Sequence, residues 1–157
     1  MARKVPSGTS KLVKAIASKI DLGGKAPTVK PWEVGQYGPM KARPGRGGMD
    51  MDHIPSKAAL LKRAEARKGK PLTKAEADKV INEGSAMAVP RKSHQQKSRT
   101  YGGRNNKDQV AHDANNPAKA TELDFNRYRQ DMKDQGFSDK AIEDALARLR
   151  AQNKGIK

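Results

Sequence analysis

The chain has 157 residues, which suits one domain, and its 33 Lys and Arg against 17 Asp and Glu give a formal charge of +16. With 34% apolar and 4% aromatic residues it can bury only a small, alanine-rich core, which argues against a large β-sandwich or doubly wound sheet. It has no cysteine, so disulfides, Cys-based zinc sites and thiol nucleophiles are excluded.

In chain order, the start Met1-Ala2-Arg3-Lys4-Val5-Pro6 has basic residues but no apolar core behind them, so no cleavable signal peptide is expected. Ser10 suits an N-cap for a short helix carrying Leu12, Ile16 and Ile20 on one face, stopped by Gly23-Gly24. Residues 25–48 hold Pro27, Pro31, Pro39 and Pro44 with several glycines, which predicts an extended, turning segment. Trp32, Val34 and Tyr37 are its large apolar groups and are expected to pin it to the core.

A short strand is predicted over 49–54, ended by Pro55. Ser56 or the residues just before it can cap a helix over 57–68, with Leu60, Leu61 and Ala64 inward, broken by Gly69 and Pro71. Thr73 and Glu76 match a capping box and open a second helix to about residue 82, with Gly84 as its stop. Ala86-Met87-Ala88-Val89 is an apolar run fit for a strand, ended by Pro90, and a helix over 91–98 comes next. Gly102-Gly103 and Asn105-Asn106 mark a loop. The last third reads as helical: Leu123, Tyr128 and Met132 share a face, Gly136 breaks the run, and Ser138 caps a helix with Ile142, Ala145, Leu146 and Leu149 inward. The fold class is therefore α+β and mostly helical. Three regions are expected: a basic N-terminal helix and linker (1–30), a core (31–117) and a C-terminal helical segment (118–157).

The charge is uneven. Residues 1–48 carry ten basic groups against Asp21 and Glu33, and residues 91–107 carry Arg91, Lys92, Lys97, Arg99, Arg104 and Lys107 with no acid. The segment from 118 onward is close to balance. A polyanion-facing surface is thus expected from the first two thirds, with Arg91, Lys92, Lys97, Arg104 and Lys107 as candidate nucleic-acid contacts. No run approaches the roughly 18 apolar residues of a membrane span, and no long amphipathic face suits a membrane surface.

The three histidines are His53, His94 and His112. His53, in Met51-Asp52-His53-Ile54-Pro55, stands at a predicted strand end, where a carboxylate can bind a divalent cation and an imidazole can take a proton from water. The same pair also reads as a surface Asp-His pair in a turn. His94 follows the second apolar run. It reads as a metal ligand with Arg99 or Lys97 on phosphate, or as an exposed residue on a solvated basic helix face. His112 reads as a polar loop histidine. Asn105 and Asn106 are turn formers, or water and phosphate ligands if the loop folds back. No Walker, dinucleotide or nucleophile-elbow spacing is present. A helix-turn-helix over 57–82 is disfavoured by Glu76 and Asp78, which stand where a recognition helix needs donors.

Pro31-Trp32-Glu33-Val34-Gly35-Gln36-Tyr37, Asp50-Met51-Asp52-His53-Ile54-Pro55-Ser56, Gly84 to Pro90 with His94, and Thr100-Tyr101-Gly102-Gly103 follow one another in order. Together they resemble the HNH and endonuclease VII-like nuclease domains, of the ββα-metal or His-Me finger fold, found at the C-termini of bacterial polymorphic toxins. The resemblance covers about residues 31–106. It implies a small ββα-metal finger with a helical insertion between its strands and C-terminal helices behind it. It implies His53 as the general base, Asp52 and His94 as ligands of one divalent cation (Mg, Mn or Zn), and Arg99 as the cation offsetting transition-state charge. The family commonly has Asn or His at its central motif position, and here Ser93 and His94 stand there.

By the same resemblance the chain is a metal-dependent endonuclease, with DNA favoured as substrate. It would be the toxin part of a larger secreted or contact-dependent protein, delivered to the cytoplasm of a target bacterium. It would be neutralised by a dedicated immunity protein, which the charge predicts to be acidic. The competing readings are a non-enzymatic basic nucleic-acid-binding protein and a ribonuclease toxin.

Overall fold

The computed structural model describes residues 28–156. The expected helix at Ser10, Leu12, Ile16 and Ile20 lies outside them. Strands β1 (Val34–Gln36), β2 (Met49–His53) and β3 (Ser85–Pro90) pair antiparallel in the order β1-β3-β2. The predicted run Ala86-Met87-Ala88-Val89 is the central strand, and each of its four residues is 0% exposed. Burial on both faces explains why it is continuously apolar rather than alternating.

Among the described residues, eight α-helices surround this sheet: α1 (Tyr37–Ala42), α2 (Lys57–Lys68), α3 (Lys74–Glu83), α4 (Arg91–Lys97), α5 (Lys107–Asn115), α6 (Pro117–Asn126), α7 (Arg129–Asp134) and α8 (Asp139–Asn153). The fold is α+β and mostly helical, as the sequence predicts, with α2 and α3 inserted between β2 and β3. No helix among the described residues is long and apolar enough to cross a membrane.

The two sheet faces have different covers. Met87 and Val89 join Trp32, Ile54, Phe125, Tyr128, Met132, Ile142, Leu146 and Leu149 in the main core, built largely by the C-terminal helices. Ala86 and Ala88 look the other way, onto Val29, Met40 and Met49, with Tyr37 and Met51 at the margin. Register carries this division into β2. Asp50 and Asp52 lie opposite Val89 and Met87, and Met51 and His53 opposite Ala88 and Ala86. Asp52 and His53 therefore leave the same strand end on opposite faces.

Side-chain caps close four of the eight helix starts among the described residues. Ser56 accepts from the Ala59 backbone N–H at 3.2 Å, and Gly69 ends α2 in the left-handed region at φ 78°. Thr73 Oγ1 accepts from the Glu76 N–H and donates to Glu76 Oε1, forming the predicted capping interaction. Ser138 caps α8 through the Ala141 N–H.

Several expectations are corrected. Residues 25–48 are not extended throughout. They contain β1, too short to show alternation, and α1, which tolerates Pro39 because its first-turn position needs no N–H donor. In α2 the buried residues are Ala59 and Leu60, while Leu61 and Ala64 are half-buried. Leu123 is 36% exposed, and Phe125 fills the core in its place. His112 stands on α5 rather than in a loop, because Asn106 serves as an N-cap by accepting from the Gln109 N–H. Gly102–Arg104 is a single 3-10 turn.

Gly84 joins α3 to β3 at the back of His53. A Cβ there would lie 2.9 Å from Leu60 Cδ1, 3.0 Å from His53 Cδ2 and 3.1 Å from the Val80 carbonyl. Gly84→Ala should cost about 1–3 kcal/mol of stability in urea unfolding, the usual penalty of overpacking, and should shift the imidazole NMR signals of His53. Unchanged stability and signals would show that the backbone here yields freely.

Candidate functional site

The end of β2 opens into a cleft of about 390 Å³ lined by Asp52, His53, Lys57, His94, Tyr101 and Asn105, among others. Strand β2 supplies the first two, the start of α2 supplies Lys57, α4 supplies His94, and the 101–105 turn supplies the rest.

His53 is buried and stacks on Tyr37 of α1, with ring centroids 4.1 Å apart. Its Nε2 lies 2.9 Å from the Ile81 carbonyl oxygen. A carbonyl only accepts, so Nε2 carries the hydrogen and the lone pair sits on Nδ1. Burial holds this imidazole below the usual histidine pKa, against the hydrogen bond to Ile81 and the charge of Asp52, so it is neutral at neutral pH.

His94 lies between two carboxylates. Its Nδ1 donates to Asp50 Oδ2 at 2.8 Å, and its Nε2 is 3.5 Å from Asp52 Oδ1. Burial opposes charge on His94, but the hydrogen bonds and charges of Asp52 and Asp50 outweigh it and raise its pKa. Tyr101 meets the same ring edge-on at 5.0 Å, and the Arg104 guanidinium lies over Tyr101 at 5.5 Å. The other oxygen of Asp52, Oδ2, accepts from the Tyr128 hydroxyl at 2.7 Å.

Among the described residues, no three His, Cys, Asp or Glu side chains form a group that could hold a metal ion. What the cleft offers is a pair, Asp52 Oδ1 and His94 Nε2. Two ligands of a tetrahedral cation with bonds of about 2.0–2.2 Å lie roughly 3.3–3.6 Å apart. One carboxylate oxygen and one imidazole nitrogen at 3.5 Å fit two positions of such a site, leaving the others to water and substrate.

The remaining candidates are placed differently. Arg99 points away from solvent into two acids: its Nη2 donates to Asp113 Oδ2 at 2.7 Å and its Nε to Asp124 Oδ1 at 2.9 Å. Asp113 and Asp124 are both buried. Arg91 and Lys92 are exposed at the start of α4, where Arg91 also reaches Asp50 at 3.2 Å. Lys97 is half-buried at the end of that helix, and Lys107 is exposed at the start of α5. Arg104 turns back to the carbonyls of Gln95 and Gln96. Asn105 donates to Ser56 Oγ at 3.4 Å, and His112 pairs with Asp113 on the far side of Arg99.

Four neighbours of the site, Asp50, Tyr37, Lys57 and Tyr128, are not singled out by the sequence. Asp50 had a usable signal, since residues two apart on a strand share a face and Asp50 must follow Asp52. In the sequence Tyr37 reads as a packing residue and Tyr128 as part of an inward helical face. Nothing in the local sequence connects Tyr128 to a residue 76 positions earlier.

The fold and cleft thus define a small basic α+β protein with two histidines and two aspartates gathered at one strand end. Over 148 residues the chain is 34% identical to the protein described as Deoxyribonuclease CdiA of Dickeya dadantii (strain 3937), and it is homologous to that segment. The match takes in 94% of this chain but only 4% of the length of that protein. No family model matches the chain, and no solved structure matches it.

Two outcomes follow from the Arg99 cluster. Arg99→Ala takes the guanidinium from the buried Asp113 and Asp124 side chains and should lower stability by roughly 3–5 kcal/mol in urea unfolding. A loss within about 0.5 kcal/mol, usual for surface changes, would show that these ion pairs hold nothing together. Burial, reinforced by Asp52 and Asp113 and only partly offset by Arg99, raises the Asp124 carboxyl to about 7. Its Oδ2 is buried without a hydrogen-bond partner, which favours the protonated form there. An unfolded Asp titrates near ~3.9, so between that value and about 7 the fold holds a proton the unfolded chain has lost. The Asp124 contribution is therefore present at low pH and lost as pH rises through this window. Comparing wild type with Asp124→Asn across pH 4–8 should show the variant losing less stability toward high pH. Parallel curves would mean that Asp124 stays ionised.

Proposed function

We propose that this chain is a metal-dependent endonuclease domain that hydrolyses DNA, of the ββα-metal, HNH-like type. The observation that carries the reading is the facing pair Asp52 Oδ1 and His94 Nε2, 3.5 Å apart, in the cleft that His53 also lines. Similarity to a segment of a protein named as a deoxyribonuclease supports DNA as the substrate.

In this reading Asp52 and His94 hold one divalent cation, Mg, Mn or Zn. When bound, such an ion supplies Lewis-acid polarisation of the scissile phosphate and stabilises the leaving 3′-oxygen. The chain's own residues do the rest. His53, neutral and with its lone pair on Nδ1, takes the proton of the attacking water. Ile81 fixes that tautomer and Tyr37 holds the ring plane. With Arg99 engaged by Asp113 and Asp124, we assign to Lys57, which lines the cleft, the positive charge that offsets the transition state. Arg91, Lys92, Lys97, Arg104 and Lys107 meet the phosphate backbone, so binding depends strongly on salt and weakly on sequence.

In this reading the chain is the toxin part of a contact-dependent antibacterial effector delivered into target cells; its similarity to a short segment of a much longer protein supports a place within a larger protein. A positively charged nuclease of this kind calls for an acidic immunity protein covering the cleft.

Supercoiled plasmid and total RNA, each incubated with Mg²⁺, Mn²⁺, Zn²⁺ or EDTA, test the activity. Metal-dependent plasmid nicking should fall by about 10²–10⁴-fold in His53→Ala, the usual worth of a general base. Cleavage of RNA alone would make the chain a ribonuclease. No cleavage by either protein, with tight salt-sensitive DNA binding by both, would make it a binding module.

A further inference from the structure

The two oxygens of Asp52 have different neighbours. Oδ1 faces His94 Nε2 at 3.5 Å, and Oδ2 accepts a buried 2.7 Å hydrogen bond from the Tyr128 hydroxyl. A carboxylate free to rotate could present either oxygen, or both, to the cleft. Tyr128 removes that freedom, because turning the carboxylate would break a buried bond and leave polar atoms without partners.

Tyr128 is itself held firmly. It is 1% exposed, and its ring lies against Trp32 with centroids 5.5 Å apart at 51°. The Trp32 indole N–H donates to Gln135 Oε1 at 2.7 Å, and the Trp32 backbone N–H donates to the Ala88 carbonyl at 2.7 Å. Trp32 also sits at φ 65°, a left-handed conformation that a bulky residue keeps only where its surroundings over-determine it. A carboxylate oxygen only accepts, so in this contact the Tyr128 hydroxyl is the donor.

We infer that Tyr128 is a positioning residue for the cation site, fixing the Asp52 carboxylate so that Oδ1 alone faces His94. The turn between α6 and α7 that carries it is then part of the working site rather than a support behind it. The inference rests on the reading of Asp52 and His94 as cation ligands. It adds an outer residue whose loss weakens the site without removing a ligand.

Calorimetric titration of Mn²⁺ into the full chain tests this, using wild type, Tyr128→Phe and Asp52→Ala. Binding of a plasmid fragment in EDTA, measured in parallel, serves as a readout that needs no cation. Tyr128→Phe keeps the ring and drops only the hydroxyl. It should weaken Mn²⁺ binding about 10–100-fold, the usual effect of losing an outer-shell hydrogen bond, with DNA binding in EDTA unchanged. Asp52→Ala should abolish Mn²⁺ binding. If Asp52→Ala loses the cation while Tyr128→Phe binds it like wild type, the positioning role is overturned and the ligand reading stands. If Asp52→Ala binds Mn²⁺ like wild type, the ligand reading falls and takes the inference with it. Equal losses of Mn²⁺ and DNA binding in Tyr128→Phe would reduce its role to general folding. Should Tyr128→Phe fail to fold, Gln135→Met releases the indole behind Tyr128 from the surface. It should then weaken Mn²⁺ binding in the same direction, and wild-type affinity would overturn the proposal.

Discussion

The complete burial of β3 is the constraint on which the rest of the structure depends. A strand with both faces covered needs a layer on each side, and in so small an apolar inventory each layer is thin. The C-terminal helices cover the face of Met87 and Val89, and α1 with the segment before it covers the face of Ala86 and Ala88. Both layers therefore reach the end of the neighbouring strand β2. One brings Tyr128 to Asp52 and the other brings Tyr37 to His53. Two adjacent residues pointing to opposite faces are each held by a different layer, and the cleft forms where the layers part.

The electrostatics of the interior run against those of the surface. A chain of +16 keeps four aspartates, Asp50, Asp52, Asp113 and Asp124, in a chain of contacts and charges around His94 and Arg99. Asp50 is only partly buried, and although burial opposes its charge, hydrogen bonds from His94 and Arg91 hold its pKa down. Asp124, deeper and with one unpartnered oxygen, goes the other way. Depth and partners, rather than net charge, decide which of these acids carry charge. The basic residues of the 91–107 run divide similarly. Arg99 is used inside the fold, Arg104 turns back onto the carbonyls of Gln95 and Gln96 in α4, and Lys92 and Lys107 remain exposed.

How much could be read in advance followed the range of each interaction. Signals closed within a few residues were legible: the cap and box at Ser56 and Thr73, the stop at Gly69, the apolar run of β3, and the strand-end position of Asp52 and His53. Short elements were not, because three residues of β1 show no period and the prolines within and around α1 argued for extension. Asn106 was legible only as a turn former, since a cap and a turn draw on the same side chain. The basic residue Arg99 looked like a phosphate ligand because its partners, Asp113 and Asp124, lie 14 and 25 positions away in segments read separately. Tyr128 lay furthest from view, since only the packed helices bring it to Asp52.

The hydrogen bond between Tyr128 and Asp52 spans 76 positions, and Trp32 reaches Gln135 across 103. Loops of that size close late, after local helices and turns have formed. A chain gaining structure from its first residue onward would hold capped helices well before it held a finished cleft. The cleft lining lies within residues 37–105, yet the Asp52 carboxylate is anchored from residue 128, so a disturbance of the C-terminal helices is transmitted to this cleft through that hydrogen bond.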